Sequence, residues 1–233
     1  MALPKLNTQT FSLEIPSTDE KIRFRPFLVK EEKILLQAQE GGEDEMVDAL
    51  KDIVSNCTFN KVDIDKLPSF DVEYIFMKIR AKSVGEKVKI QVTCPDDKVT
   101  KVPVTIDLDK IEVEVTDKHT NKISLTDEIN CIMKYPTLKN FLGKSMSKAT
   151  AVDAVSLVSD CIHQIIDGKE VFESNDLSKK ELDEFVDNLT QAQFAKMNDF
   201  FSTMPKLKHI VNVTNPKTKK KGKVTLEGMQ SFF

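Results

Sequence analysis

The sequence predicts an α+β fold, and three observations predict it. Apolar residues recur at helical spacing between residues 30 and 83, alternate from Glu86 onward, and return to helical spacing after Thr150. Helix-starting signals cluster in the C-terminal third, where Ser178 with Glu181 and Thr190 with Gln193 each make a capping box. Only seven glycines occur in 233 residues, too few for a turn-rich all-β design or for glycine-rich cofactor loops.

Taken in order, Phe11, Leu13 and Ile15 alternate, Pro16-Ser17-Thr18-Asp19 turns, and Ile22 and Phe24 alternate again. This is an N-terminal β-hairpin with one buried face, and Pro26 sits at the strand exit where a missing donor is tolerated. Helices follow over 30–40, ended by Gly41-Gly42, and over 43–56, with Met46, Val47, Leu50, Ile53 and Val54 on one stripe. A third runs over 70–83, with Val72, Ile75, Phe76 and Ile79 at helical spacing and Gly85 as its stop. Runs at 88–92, 102–106, 111–115 and 122–133 then predict a small central antiparallel sheet over 86–134, its first turn being Cys94-Pro95-Asp96-Asp97.

Beyond it, Thr150 with Asp153 starts a helix through Val152, Val155, Val158, Ile162 and Ile165 that Gly168 stops. The two capping boxes start helices carrying Leu182, Phe185, Val186 and Leu189, then Phe194, Met197, Phe201 and Met204 as far as Pro205. Segments 208–213 and 223–226 read as a terminal hairpin. The division is an α+β N-terminal domain over 1–136 and a helical C-terminal part over 137–233, with packing of the two as one unit left open.

The residues offer little chemistry. His163 stands two positions from Cys161 on a predicted helix, so the two face apart. The other two histidines are His119 and His209. No G-x-S-x-G elbow, P-loop or G-x-G-x-x-G is present. The acid pairs Asp63/Asp65 and Asp107/Asp109 lack the glycine and terminal glutamate of a calcium loop. Cysteines 57, 94, 131 and 161 are isolated, and no secretory signal or membrane-length apolar run occurs, which points to free thiols in a reducing cytoplasm. The expectation is a non-enzymatic chain with no metal and no cofactor.

One internal echo stands out. Ile90-Gln91-Val92-Thr93-Cys94-Pro95 parallels Val211-Asn212-Val213-Thr214-Asn215-Pro216, and Val104-Thr105-Ile106 parallels Val224-Thr225-Leu226. Both are strand, proline-containing loop, strand, like the knuckles of zinc ribbons, in which paired cysteines hold the loop. Here Cys94 stands alone and Asn215 takes the matching place, so the ligands for a metal are missing.

Binding is therefore sought among charged and aromatic residues. Residues 206–233 hold seven lysines against the single acid Glu227, in a chain whose net charge is −3. The densest part includes Lys219, Lys220 and Lys221, which suit an acidic protein partner, nucleic acid through phosphate contacts, or a plain solvated turn. Arg23, Arg25, Pro26, Phe27 and Lys30 form one apolar and basic cluster, and Lys78, Arg80 and Lys82 a second. Their cations either meet a partner's carboxylates or pair internally with Glu31, Glu32 or Glu73. Phe232 and Phe233 either enter a partner pocket or fold back on their own core.

Several motifs together resemble one family. They are Met1-Ala2-Leu3-Pro4-Lys5-Leu6, Arg23-Phe24-Arg25-Pro26-Phe27-Leu28-Val29-Lys30-Glu31, Asp71-Val72-Glu73-Tyr74-Ile75-Phe76, Ile79-Arg80-Ala81-Lys82-Ser83-Val84-Gly85-Glu86 and Cys94-Pro95-Asp96-Asp97. The chain resembles the baseplate hub proteins, or hub assembly chaperones, of T4-type contractile-tailed phages, over residues 1–136 and again near Asn215-Pro216-Lys217 and Leu226-Glu227-Gly228. The resemblance implies a protein of hub assembly that works with hub, spike and tape-measure proteins. It would act in the host cytoplasm and possess no catalytic residues; whether it stays in the virion is left open.

Overall fold

A computed structural model describes residues 7–141 and 151–228. The first elements are β1 (Phe11–Glu14), β2 (Lys21–Phe24), α1 (Val29–Glu40), α2 (Glu43–Cys57), α3 (Ser69–Val84), β3 (Lys87–Thr93), β4 (Lys101–Asp107) and β5 (Glu112–Glu114). Then come β6 (Lys122–Ser124), β7 (Ile129–Met133), α4 (Ala151–Asp160), β8 (Ile162–Asp167), β9 (Glu170–Glu173), α5 (Lys179–Asp187), α6 (Gln191–Thr203), β10 (Lys206–Thr214) and β11 (Lys221–Glu227). The α+β class holds, with hairpins near both ends as the sequence predicts. The capping residue Thr150 lies outside the described residues.

The chain forms two compact units, one of residues 1–114 with 206–233 and one of residues 115–205. The division read from sequence after residue 136 falls inside the second. The second unit is an insertion between hydrogen-bonded neighbours, because β5 pairs antiparallel with β10 and sets Glu114 opposite Lys206.

In the first unit α3 is the central element. Phe70, Val72, Ile75, Phe76, Met77 and Ile79 are all buried, so the helix is covered on most of its circumference. Each such side chain contributes about 1.5–3 kcal/mol by leaving water. Gly85 ends the helix at φ 109°, a left-handed value that a side chain would strain. The strands read as one central sheet are antiparallel but distributed. β3 pairs with β4 alone, β5 joins β10 and β11, and β6 and β7 enter a sheet of the second unit in the order β6-β7-β8-β9. Alternation reveals a strand and its inward face but not its partner, and the partner of β5 lies beyond the whole insertion.

The second unit closes around Ile123, Leu125, Cys131, Met133, Val158, Cys161, Ile162, Ile165, Leu182, Val186, Met197 and Phe200. The helix expected to run to Ile165 stops at Asp160, and residues 162–167 are a strand instead. Val158, Ile162 and Ile165 suit a helix by spacing, yet β8 pairs with β7 and sets Ile165 opposite Cys131. Cross-strand pairing of β-branched residues has overridden the local pattern. His163 accordingly sits exposed on a strand.

Candidate docking surfaces

Three of the basic residues picked out from sequence come together on one groove of about 720 Å³ in the first unit. Tyr74, Lys78 and Lys82 lie one helical turn apart along α3 and form one wall. Phe11, Arg23 and Phe24 of the β1–β2 hairpin form the other. Arg23 donates from Nη2 to Thr10 Oγ1 at 2.7 Å. Lys78 is only 9% exposed and donates from Nζ to the Asp109 carbonyl at 2.7 Å and to Glu112 Oε1 at 3.2 Å. Its ammonium also stands 5.0 Å from the centre of the Tyr74 ring. Lys82 reaches Asp109 Oδ2 at 2.5 Å and Glu86 Oε1 at 2.6 Å, with the Phe11 ring 5.7 Å away.

These contacts set the charges. Bonds to Asp109 and then Glu86 hold Lys82 above its ordinary value, so it stays a cation. Burial, helped by Glu112, pushes the Tyr74 phenol up to about 12, so it stays neutral and donates to Glu112 Oε2 at 3.2 Å. At neutral pH the phenol is thus protonated, and Lys78 and Lys82 are paired with Glu112, Asp109 and Glu86. What the groove presents is fixed charge beside aromatic faces, which suits a polypeptide surface.

Arg25 goes elsewhere. It is buried and forks onto Glu31, Nη2 to Oε1 at 2.9 Å and Nη1 to Oε2 at 3.3 Å. Burial pushes Glu31 up, but Arg25 and the Leu28 N–H outweigh it, and the carboxyl ends below its usual range. Glu31 also accepts from Leu28 N at 2.8 Å and closes the N-terminus of α1. The internal pairing weighed from sequence is thus realised at Arg25. Lys30 is exposed and adds an ion pair to Glu31 at 3.3 Å. Phe27 packs on Phe76 with ring centres 5.7 Å apart, next to the half-buried Pro26. Arg80 is half-buried, and burial lowers its pKa. Phe232 and Phe233 lie outside the described residues.

The second surface is the tip of the β10–β11 hairpin. Lys217, Lys219, Lys220 and Lys221 are exposed there, and none takes part in an ion pair among the described residues. The loop itself is rigidly tied: Lys219 N donates to Asn215 O at 2.9 Å, and Lys219 adopts φ 63°.

Sequence reasoning missed two carboxyl contacts. Asp71 is fully buried in the first turn of α3 and accepts from Ser17 N at 3.2 Å, and burial pushes it up to about 6. Asp96 and Asp97 meet Asn215 across two hairpins. The matched loops carried a signal for the second, and nothing local marked the first. Cysteines 57, 94, 131 and 161 are all buried and in no disulfide, and burial pushes Cys57 up to about 11 and Cys131 up to about 12. Among the described residues no cluster of three or more His, Cys, Asp or Glu is placed to hold a metal ion, and no helix is long and apolar enough to cross a membrane.

Residues 8–233 match the family model described as T4 bacteriophage base plate protein, and the chain belongs to that family. No curated protein and no solved structure matches it.

Proposed function

We propose that this member of the T4 base plate family is a non-enzymatic component of the base plate hub, serving as a hub subunit or as the chaperone of its assembly. Membership makes it a structural protein of the phage tail base plate and implies contact with other base plate proteins. The finer reading adds hub, spike and tape-measure proteins as its partners and the host cytoplasm as the place where it first meets them. The family match over residues 8–233 carries the reading. The groove at Arg23, Lys78 and Lys82 and the unpaired lysines 219–221 supply the surfaces it needs.

Co-expression with each base plate protein in turn, followed by gel filtration, tests it. A stable complex with a hub, spike or tape-measure protein is expected, weakened when Lys219, Lys220 and Lys221 are together changed to Glu. Failure to associate with any of them removes the proposal. A second reading, a nucleic-acid accessory protein, draws on the same unpaired lysines. Salt-dependent oligonucleotide binding that the triple charge reversal abolishes would favour it over the first.

A further inference from the structure

Three hairpin loops of the first unit share one backbone design. In each, a buried residue precedes a proline, and the fifth residue of the loop returns its N–H to the carbonyl of the first. These bonds are Asp19 N to Ile15 O at 2.9 Å, Lys98 N to Cys94 O at 3.0 Å and Lys219 N to Asn215 O at 2.9 Å. The fifth residue has positive φ every time, 56° at Asp19, 56° at Lys98 and 63° at Lys219. These turns are knuckles of the kind that present metal ligands from their first and fourth positions.

Two of the three face each other. Asn215 is fully buried and donates from Nδ2 to Asp96 Oδ1 at 3.0 Å, Asp96 Oδ2 at 3.1 Å and Asp97 Oδ2 at 2.9 Å. Thr218 Oγ1 donates to Asp96 Oδ2 at 2.5 Å. The other end of the Asn215 amide stays in its own loop, where Oδ1 accepts from Lys217 N at 2.9 Å and Thr218 N at 3.3 Å. Asp97 likewise accepts from Val99 N at 3.1 Å and Thr100 N at 2.9 Å on its own side. Behind the loops the approach is so close that a Cβ on Gly222 would stand 2.5 Å from Pro95 Cγ. The first and fourth knuckle positions, where a four-cysteine ribbon keeps its ligands, are here Cys94 and Asp97, Asn215 and Thr218.

We infer that hairpins β3–β4 and β10–β11 are a zinc-ribbon scaffold that needs no metal, its cross-link being a side-chain clamp of Asp96, Asp97, Asn215 and Thr218. Asp97, Asn215 and Thr218 each hold their own loop as well as reaching across, while both Asp96 oxygens accept from the facing loop, as ligands held by loop amides reach for a metal. The tie is charge-assisted and indifferent to zinc supply.

The test restores the ligands. Asp97→Cys, Asn215→Cys and Thr218→Cys, made together with Cys94 retained, should bind one zinc per chain under reducing conditions. Cobalt in its place should give a tetrahedral thiolate spectrum, and a chelator should reverse the zinc-dependent rise in melting temperature. The native chain, run in parallel, should melt identically with zinc and with chelator. A triple variant that leaves zinc in solution, or holds cobalt in octahedral geometry, overturns the inference. A second readout avoids refolding the triple variant. Asn215→Ala in the native background should speed amide exchange of Cys94 and Lys98, on the facing hairpin, by about tenfold or more. Unchanged exchange there also overturns it.

Discussion

The two units are held together by different chemistry. The inserted unit closes on one apolar cluster in which Tyr135, His119 and Phe200 stack, with Tyr135–Phe200 ring centres 5.5 Å apart and His119–Phe200 centres 5.1 Å apart. One of its two histidines is drawn in as well: His119 lies between Thr203 Oγ1 at 3.1 Å and Tyr135 Oη at 3.0 Å, and burial lowers its pKa. The first unit has an apolar core too, but its hairpins are pinned to it and to each other by polar groups. Examples are Arg25 on Glu31, Ser17 on Asp71, Lys78 on Asp109 and Asn215 on Asp96. Apolar clusters are non-directional, whereas polar ties are directional, and those that are buried, such as Arg25 on Glu31, carry a desolvation cost. The unit that carries both candidate docking surfaces is the one whose surface geometry is fixed this way.

The sharpest way to break the contrast is Phe200→Ala in the inserted unit. It should cost about 3–5 kcal/mol, the usual loss for a fully buried aromatic, and amide exchange should speed throughout residues 115–205. A cost under about 1 kcal/mol would mean that the cluster is not what holds the unit. Glu31→Ala is the counterpart in the first unit. It leaves the Arg25 guanidinium buried without its carboxylate and should cost about 3 kcal/mol or more by chemical denaturation.

Asp71→Asn should go the other way. The folded-state pKa of Asp71 is raised from 3.8 to about 6, so its contribution to stability is fully present below the unfolded value and is lost as pH rises through the folded one. At pH 7 the buried carboxylate is therefore a penalty, and the amide should stabilise the protein by on the order of 1–3 kcal/mol. That gain should vanish below about pH 4, and a gain independent of pH would disprove the buried charge. The smallest effect belongs to Ser178→Ala, which removes the side chain that accepts from Glu181 N at 3.3 Å and caps α5. A loss of about 1 kcal/mol in thermal melts is expected.

These differences also explain what was legible. The helices expected at 30–40, 43–56 and 70–83 occur as α1, α2 and α3, and both capping boxes close as read, because their signals lie within a few residues of one another. The Arg25–Glu31 pair, six residues apart, was visible as one of two alternatives. The grouping of Arg23 with Lys78 and Lys82 was not, since the hairpin and helix that bring them together are far apart in the chain. Nor was the clamp, whose partners are 119 residues apart; the matched loops gave its two halves but not their contact. Strand β8 was misread because β-branched residues at helical spacing were decided by their neighbour β7.

The central claim, that the first unit presents surfaces made to be covered by other base plate polypeptides, is tested most directly by an exchange footprint. Hydrogen exchange would be compared between the free chain and its complex with a co-expressed hub, spike or tape-measure protein. The account predicts slowed exchange around the β1–β2 hairpin and α3 groove and at residues 217–221. Protection confined to residues 115–205, or no complex with any of these proteins, would contradict it.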